Sequence, residues 1–102
     1  MGVATDGFDW DAGNRDKCRK HGLSIEQIEF LVSHAETLIV RDVKNSATEP
    51  RFIAIGRTLE GRFAFVAFTP RTRDGETLLR PISARYMHKK EIARYEKESS
   101  TL

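Results

Sequence analysis

A chain of 102 residues, 39% hydrophobic and 31% charged, has room for one compact domain with one modest core, and the mix is that of a globular protein rather than a disordered one. The longest strongly apolar stretch, residues 63–68, is far too short to span a bilayer, and residues 1–7 lack the basic and apolar regions of a signal peptide, so a cytoplasmic protein with no membrane partner is expected. Asp6 stands where N-myristoylation wants Ser or Thr, and the sole cysteine, Cys18, excludes an internal disulfide. The net charge of +2 conceals an asymmetry: residues 1–50 hold six Lys/Arg against nine Asp/Glu, whereas residues 51–102 hold eleven against six. The basic second half suits a polyanion, although Lys89, Lys90, Arg94 and Lys97 suffice to solvate a helix.

Residues 1–7 are expected to be flexible, residues 8–98 to form the single domain, and residues 99–102 to be a tail. Phe8-Asp9-Trp10 reads as a short strand with both aromatics on one face. Asp11 is a good N-cap and Gly22 a good stop for a helix over residues 12–21, which carries almost no apolar stripe. The next helix is better specified. Ser24 and Gln27 make a capping box, Leu23 and Ile28 a hydrophobic staple, and Ile25, Ile28, Leu31 and Val32 recur at helical spacing.

The period then changes. Residues 37–43, 51–57 and 62–69 read as strands, with a polar loop at 44–50 and a turn at Glu60-Gly61. Phe63, Ala64, Phe65, Val66, Ala67 and Phe68 are apolar on both faces, which predicts a central strand whose two faces are both covered, with the helices as the covers. Asp74-Gly75 marks a turn into a last strand, residues 76–86, where Pro81 predicts an edge or a bulge. Residues 88–98 form a charged helix with Ile92 and Tyr95 on one face. The expected fold is α+β: a twisted antiparallel sheet packed on two N-terminal helices, with a helix at the C-terminus.

Five motifs stand in order along the chain: Phe8-Asp9-Trp10-Asp11, Lys20-His21-Gly22, Arg51-Phe52-Ile53-Ala54-Ile55-Gly56-Arg57, Arg80-Pro81-Ile82-Ser83-Ala84-Arg85, and Glu91 with Arg94-Tyr95-Glu96. Together they resemble the BrnT family of bacterial type II toxin–antitoxin toxins over residues 8–96. The resemblance implies a RelE-like fold and a metal-independent ribonuclease that inhibits translation without a cofactor. It also implies a BrnA-like ribbon-helix-helix antitoxin as partner, with promoter DNA reached only through that antitoxin. Two departures, Pro50 and Pro81, bear on strand geometry rather than on residues with a chemical role.

Metal-independent RNA cleavage turns the 2′-hydroxyl on the adjacent phosphate and is helped by a base, by cations for the charge on phosphorus, and by an acid for the 5′-oxygen. Arginine suits the cationic role, since its planar fork meets two phosphate oxygens. Arg57, Arg80 and Arg85 are the phosphate candidates; each taken alone reads better as an exposed arginine in a surface ion pair, and it is the group, with the resemblance, that points to phosphate. Arg80 and Arg85 have opposite parity on a regular strand, and a bulge near Pro81 would bring them to one face.

His21 is the first candidate for proton transfer, although a ring just before Gly22 also suits a helix C-terminus. His88 is the reserve, and His34 reads as a solvated turn residue. Trp10 is a candidate for stacking on a base, although its place on one face with Phe8 favours a core anchor. Tyr86 is a candidate phosphate contact. Tyr95 reads as packing the last helix onto the sheet, and Glu91 as a partner for Arg94 or Arg85. No metal site is expected, because Cys18 and His21 are not followed by a second pair at ligand spacing. Two other classes compete with the nuclease: a non-catalytic antitoxin-binding or co-repressor module of the same fold, and an RNA-binding domain that would need Phe63, Phe65 and Phe68 at the surface.

Overall fold

The computed structural model describes residues 5–45 and 48–100. The chain runs β1 (Gly7–Phe8), α1 (Ala12–Arg19), α2 (Ile25–Ser33), β2 (Leu38–Arg41), a 3-10 turn (Val43–Asn45), β3 (Phe52–Arg57), β4 (Phe63–Arg73), β5 (Glu76–Tyr86) and α3 (Lys89–Ser100). The sheet order is β1-β5-β4-β3-β2. Strands β2 to β5 form the expected antiparallel meander. The expectation of a wholly antiparallel sheet needs correcting, because β1 pairs with β5 in parallel. No tight turn joins those two strands, and the chain between them includes α1 and α2, as a parallel crossover requires. Thr5 and Asp6, within the segment expected to be flexible, both bond to Thr77 in β5; residues 1–4 of that segment and 101–102 of the expected tail lie outside the described residues. No described helix is long and apolar enough to cross a membrane.

Both helices start as their caps dictate. The Asp11 carboxylate accepts from the Asn14 amide at 3.1 Å, and the Asn14 side chain accepts from the Asp11 amide at 2.7 Å. Helix α1 ends at Arg19 rather than His21, and the chain turns through Gly22 at φ 95°, a conformation that favours glycine. With so little apolar surface, α1 is held by polar means. The buried Asn14 side chain donates to the carbonyls of Asp9 and Pro81 at 3.0 and 2.9 Å. Ser24 and Gln27 complete the second capping box, and Gln27 also donates to Glu60 in the β3–β4 turn at 2.7 Å. Leu23, Ile28, Leu31 and Val32 are buried, each contributing roughly 1.5–3 kcal/mol relative to exposure. Ile25, expected on the same stripe, is half-buried.

Strand β4 is central, as its two-sided apolar run predicts. Its Ala64, Val66 and Phe68 join Ala54, Ala84 and Leu79 in the core beneath the helices, where α1 packs on β5 and α2 on β3. The expectation that helices cover both faces does not hold. Register puts Leu38, Val40, Ile53, Ile55, Phe63, Phe65, Ala67, Ser83 and Arg85 together on the opposite face. There α3 meets the sheet at one end, with Tyr95 against Phe63 and Glu91 against Arg85. Leu38 and Val40 remain 43% and 37% exposed. Phe63 and Phe65 are half-buried beneath arginine side chains, while Phe68 is buried in the core.

Two local features shape the strands. Ala67 pairs with Ser83 but Phe68 with Pro81, leaving Ile82 as the extra residue of a bulge. The bulge lies where Pro81 cannot donate to a ladder, and it restores Arg80 and Arg85 to one face, as the sequence anticipated. At Gly56, a Cβ would lie 2.6 Å from the Thr37 hydroxyl oxygen. That hydroxyl in turn donates to the Leu31 carbonyl at 2.5 Å, tying the end of α2 to β3.

Candidate nucleic-acid interface

The open face carries an arrangement that follows from strand register. Arg57, the last residue of β3, lies opposite Phe63, and its guanidinium sits 4.6 Å from that ring's centre. Arg85 on β5 lies opposite Phe65 and sits 4.6 Å above it. Phe63 and Phe65 are two residues apart on one face, about 7 Å along the strand. Two arginines thus flank β4 from either side, each resting on a phenylalanine. A cation over an aromatic face is favourable, and the ring stiffens an otherwise mobile side chain. Beside Arg85 is a depression of about 420 Å³ lined by Phe65, Ile53, Ser83, Asp42 and His21.

Arg85 is held from the helix side as well. Its two terminal nitrogens donate to the two Glu91 oxygens at 2.9 and 2.8 Å, a fork-on-fork pairing of the kind guanidinium also makes with phosphate. Glu91 stands third in α3 and also accepts from the His88 amide at 2.8 Å, the reach-back half of a capping box. The Arg85 guanidinium first, and the His88 amide second, hold the Glu91 carboxyl down at about 2. The same hydrogen bond raises the Arg85 guanidinium above its ordinary value. The expected pairing of Glu91 with Arg85 is therefore present, and Tyr95 packs α3 onto the sheet as expected.

The remaining candidates separate. Arg80 shares a face with Arg85 but is engaged by Asp11 at 2.8 Å and Asp9 at 3.6 Å, tying β5 to the start of α1. The Asn14 amide and then the Arg80 guanidinium hold the Asp11 carboxyl below the usual range. Trp10 packs against the core beneath the helices and donates its indole N–H to Glu29 at 2.9 Å. Tyr86 also faces that side, with the Arg62 guanidinium 3.5 Å from its ring centre. His88 is exposed beside α3, its Nδ1 3.7 Å from Glu91. His21 lines the depression with Arg85. His34 is not the solvated residue expected: it is half-buried, with its ring 5.0 Å from that of Phe30. The sequence reading missed Phe63 and Phe65 as supports for Arg57 and Arg85. Their signal was the apolar parity of β4, but the pairing needs the register. Cys18 is fully buried, which pushes its thiol up to about 11.

Fold and site together define a small α+β protein with three helices, a five-stranded sheet and a face of paired arginines and aromatics. The chain belongs to the BrnT family: residues 10–91 match the family model described as the ribonuclease toxin, BrnT, of type II toxin–antitoxin systems. No curated protein matches the chain. Membership makes this a toxin of the ribonuclease class, with RNA as its target and an antitoxin as its partner.

Proposed function

We propose that the protein is a metal-independent endoribonuclease of RelE-like fold that inhibits translation in the cytoplasm and is neutralised by a ribbon-helix-helix antitoxin, which alone contacts promoter DNA. The observation that carries this reading is the placement of Arg57 and Arg85 on adjacent phenylalanines of one sheet face, with His21 lining the depression next to Arg85. The two guanidiniums bind the scissile phosphate and its neighbour and stabilise the extra charge on phosphorus. The His21 ring takes the 2′-proton as the 2′-oxygen bonds to phosphorus. The bond to the 5′-oxygen then breaks, and that oxygen leaves with a proton from water or from the exposed His88 ring. In this reading Arg80, which ties β5 to the start of α1 and rests on neither Phe63 nor Phe65, supports the strand rather than the phosphate. Trp10 and Tyr86 pack on the helix side and take no part in this reading.

A second reading, a non-catalytic antitoxin-binding module, is favoured by one observation: Glu91 already fills the Arg85 fork. Cleavage of labelled single-stranded RNA in EDTA separates the two. The expected result is cleavage by the unaltered protein and a loss of about 100-fold in Arg85→Ala, on the order of 3 kcal/mol of transition-state stabilisation. Intact RNA together with a stable antitoxin complex would establish the module instead.

A further inference from the structure

Another cleft, of about 630 Å³, opens at the end of the sheet between the end of α2, the β3–β4 turn and α3. Of its lining, the phosphate chemistry above uses only Arg57. Phe30 and His34 line it, their rings 5.0 Å apart. Phe63 and Tyr95 also line it, their rings 5.5 Å apart. The Phe63 ring that meets Tyr95 also carries Arg57, so the cleft is continuous with the arginine face. Glu36 and Glu96 line it too, and among the described residues neither makes an ion pair.

This composition selects a ligand. Aromatic walls suit a flat π-system, and base–aromatic stacking is the common means of holding unpaired bases. The two carboxylates repel phosphate but accept N–H donors. Guanine presents N1–H and N2–H side by side, matching the two oxygens of one carboxylate. Adenine and cytosine each offer an amino group beside a ring acceptor, and the uracil N3–H lies between two carbonyl oxygens that a carboxylate repels.

We propose that this cleft is a nucleobase subsite that takes a guanine of the bound RNA, stacking it on the aromatic walls and accepting its Watson–Crick edge at Glu36 or Glu96, while the adjoining phosphates lie on Arg57 and Arg85. The proposal rests on the ribonuclease reading for the identity of its ligand, yet its test does not depend on cleavage. The probes are the four nucleoside 3′-monophosphates, titrated into the purified full chain by calorimetry and followed through the His34 and Tyr95 ring resonances. The expected result is that 3′-GMP binds about tenfold more tightly than the other three, as one bidentate edge contact allows, and moves both resonances. Glu36→Gln or Glu96→Gln, isosteric changes at exposed positions checked for an unchanged melting temperature, erases that preference. Tyr95→Ala weakens binding of all four. Equal binding of all four nucleotides, binding of none, or resonance shifts confined to His21 would overturn the proposal. RNA cleavage without any guanine dependence would remove the subsite and leave the nuclease standing. Selective 3′-GMP binding with no RNA cleavage would do the reverse.

Discussion

The two faces of this sheet come from the same strands and are almost equally apolar, yet they are finished in different ways. Beneath α1 and α2 the sheet presents Ala54, Ala64, Val66 and Ala84 together with the larger Phe68 and Leu79, and the helices close over them with Leu23, Ile28, Leu31 and Val32. The opposite face presents larger groups, Ile53, Ile55, Phe63 and Phe65, and covers the two phenylalanines with the flat sides of Arg57 and Arg85. A face closed by helices adds stability and has nothing left for a ligand. A face closed by guanidiniums exchanges part of that burial for a cationic surface over a stiff support. In the proposed reading, stability lies on one side of β4 and RNA chemistry on the other.

The sharpest way to break the comparison is to truncate one residue on each side. Leu31→Ala, at a fully buried site, is expected to cost about 2–5 kcal/mol in denaturant unfolding, while any protein that remains folded still cleaves RNA. Arg85→Ala is expected to reverse the pattern, with unfolding stability changed by less than about 1 kcal/mol and cleavage reduced about 100-fold. A large stability loss in Arg85→Ala would show that the open face is structural after all.

Gly56→Ala tests the joint between α2 and β3. Its new methyl would meet the Thr37 hydroxyl at 2.6 Å, so a loss of about 1–3 kcal/mol is expected; a neutral result would mean that Thr37 moves aside freely. Arg80→Ala refines the contrast within one strand. It should lower stability by less than about 1 kcal/mol, because Asp9 keeps its ion pair with Arg73 at 3.6 Å and Asp11 is half-exposed, and it should leave cleavage within about threefold. A cleavage defect as deep as that of Arg85→Ala would return Arg80 to the site.

The smallest effect concerns pH. Glu91 has its carboxyl lowered from 4.5 to about 2. A depressed carboxyl pKa gives stability that is fully present above the unfolded value and is lost as pH falls through the folded one. The Arg85–Glu91 pair should therefore persist at neutral pH and disappear between about pH 4.5 and pH 2. Following the Glu91 side-chain carbonyl by NMR checks this, and a midpoint at the ordinary value would show that the pair does not form in solution.

Local chemistry by itself determined where the helices start, because Asp11 and Ser24 satisfy free amides within their own first turns. It determined the centrality of β4, because a strand apolar on both faces must lie between neighbours, and it narrowed Pro81 to an edge or a bulge, because Pro81 has no N–H to give; the register decided for the bulge. The five ordered motifs carried the family, and with it the class of activity. Only the tertiary structure decided which arginines belong together. Arg57, Arg80 and Arg85 look alike along the chain; their surroundings differ because register sets Phe63 and Phe65 beneath two of them, while the entry of β1 brings Asp9 and Asp11 to the third. Trp10 read as a core anchor ahead of a base-stacker, and packing turned it toward α2, where its indole N–H meets Glu29. Alternation along a strand gives the parity of a side chain, but its partners come from strands and helices far away in sequence, and only folding brings those into contact.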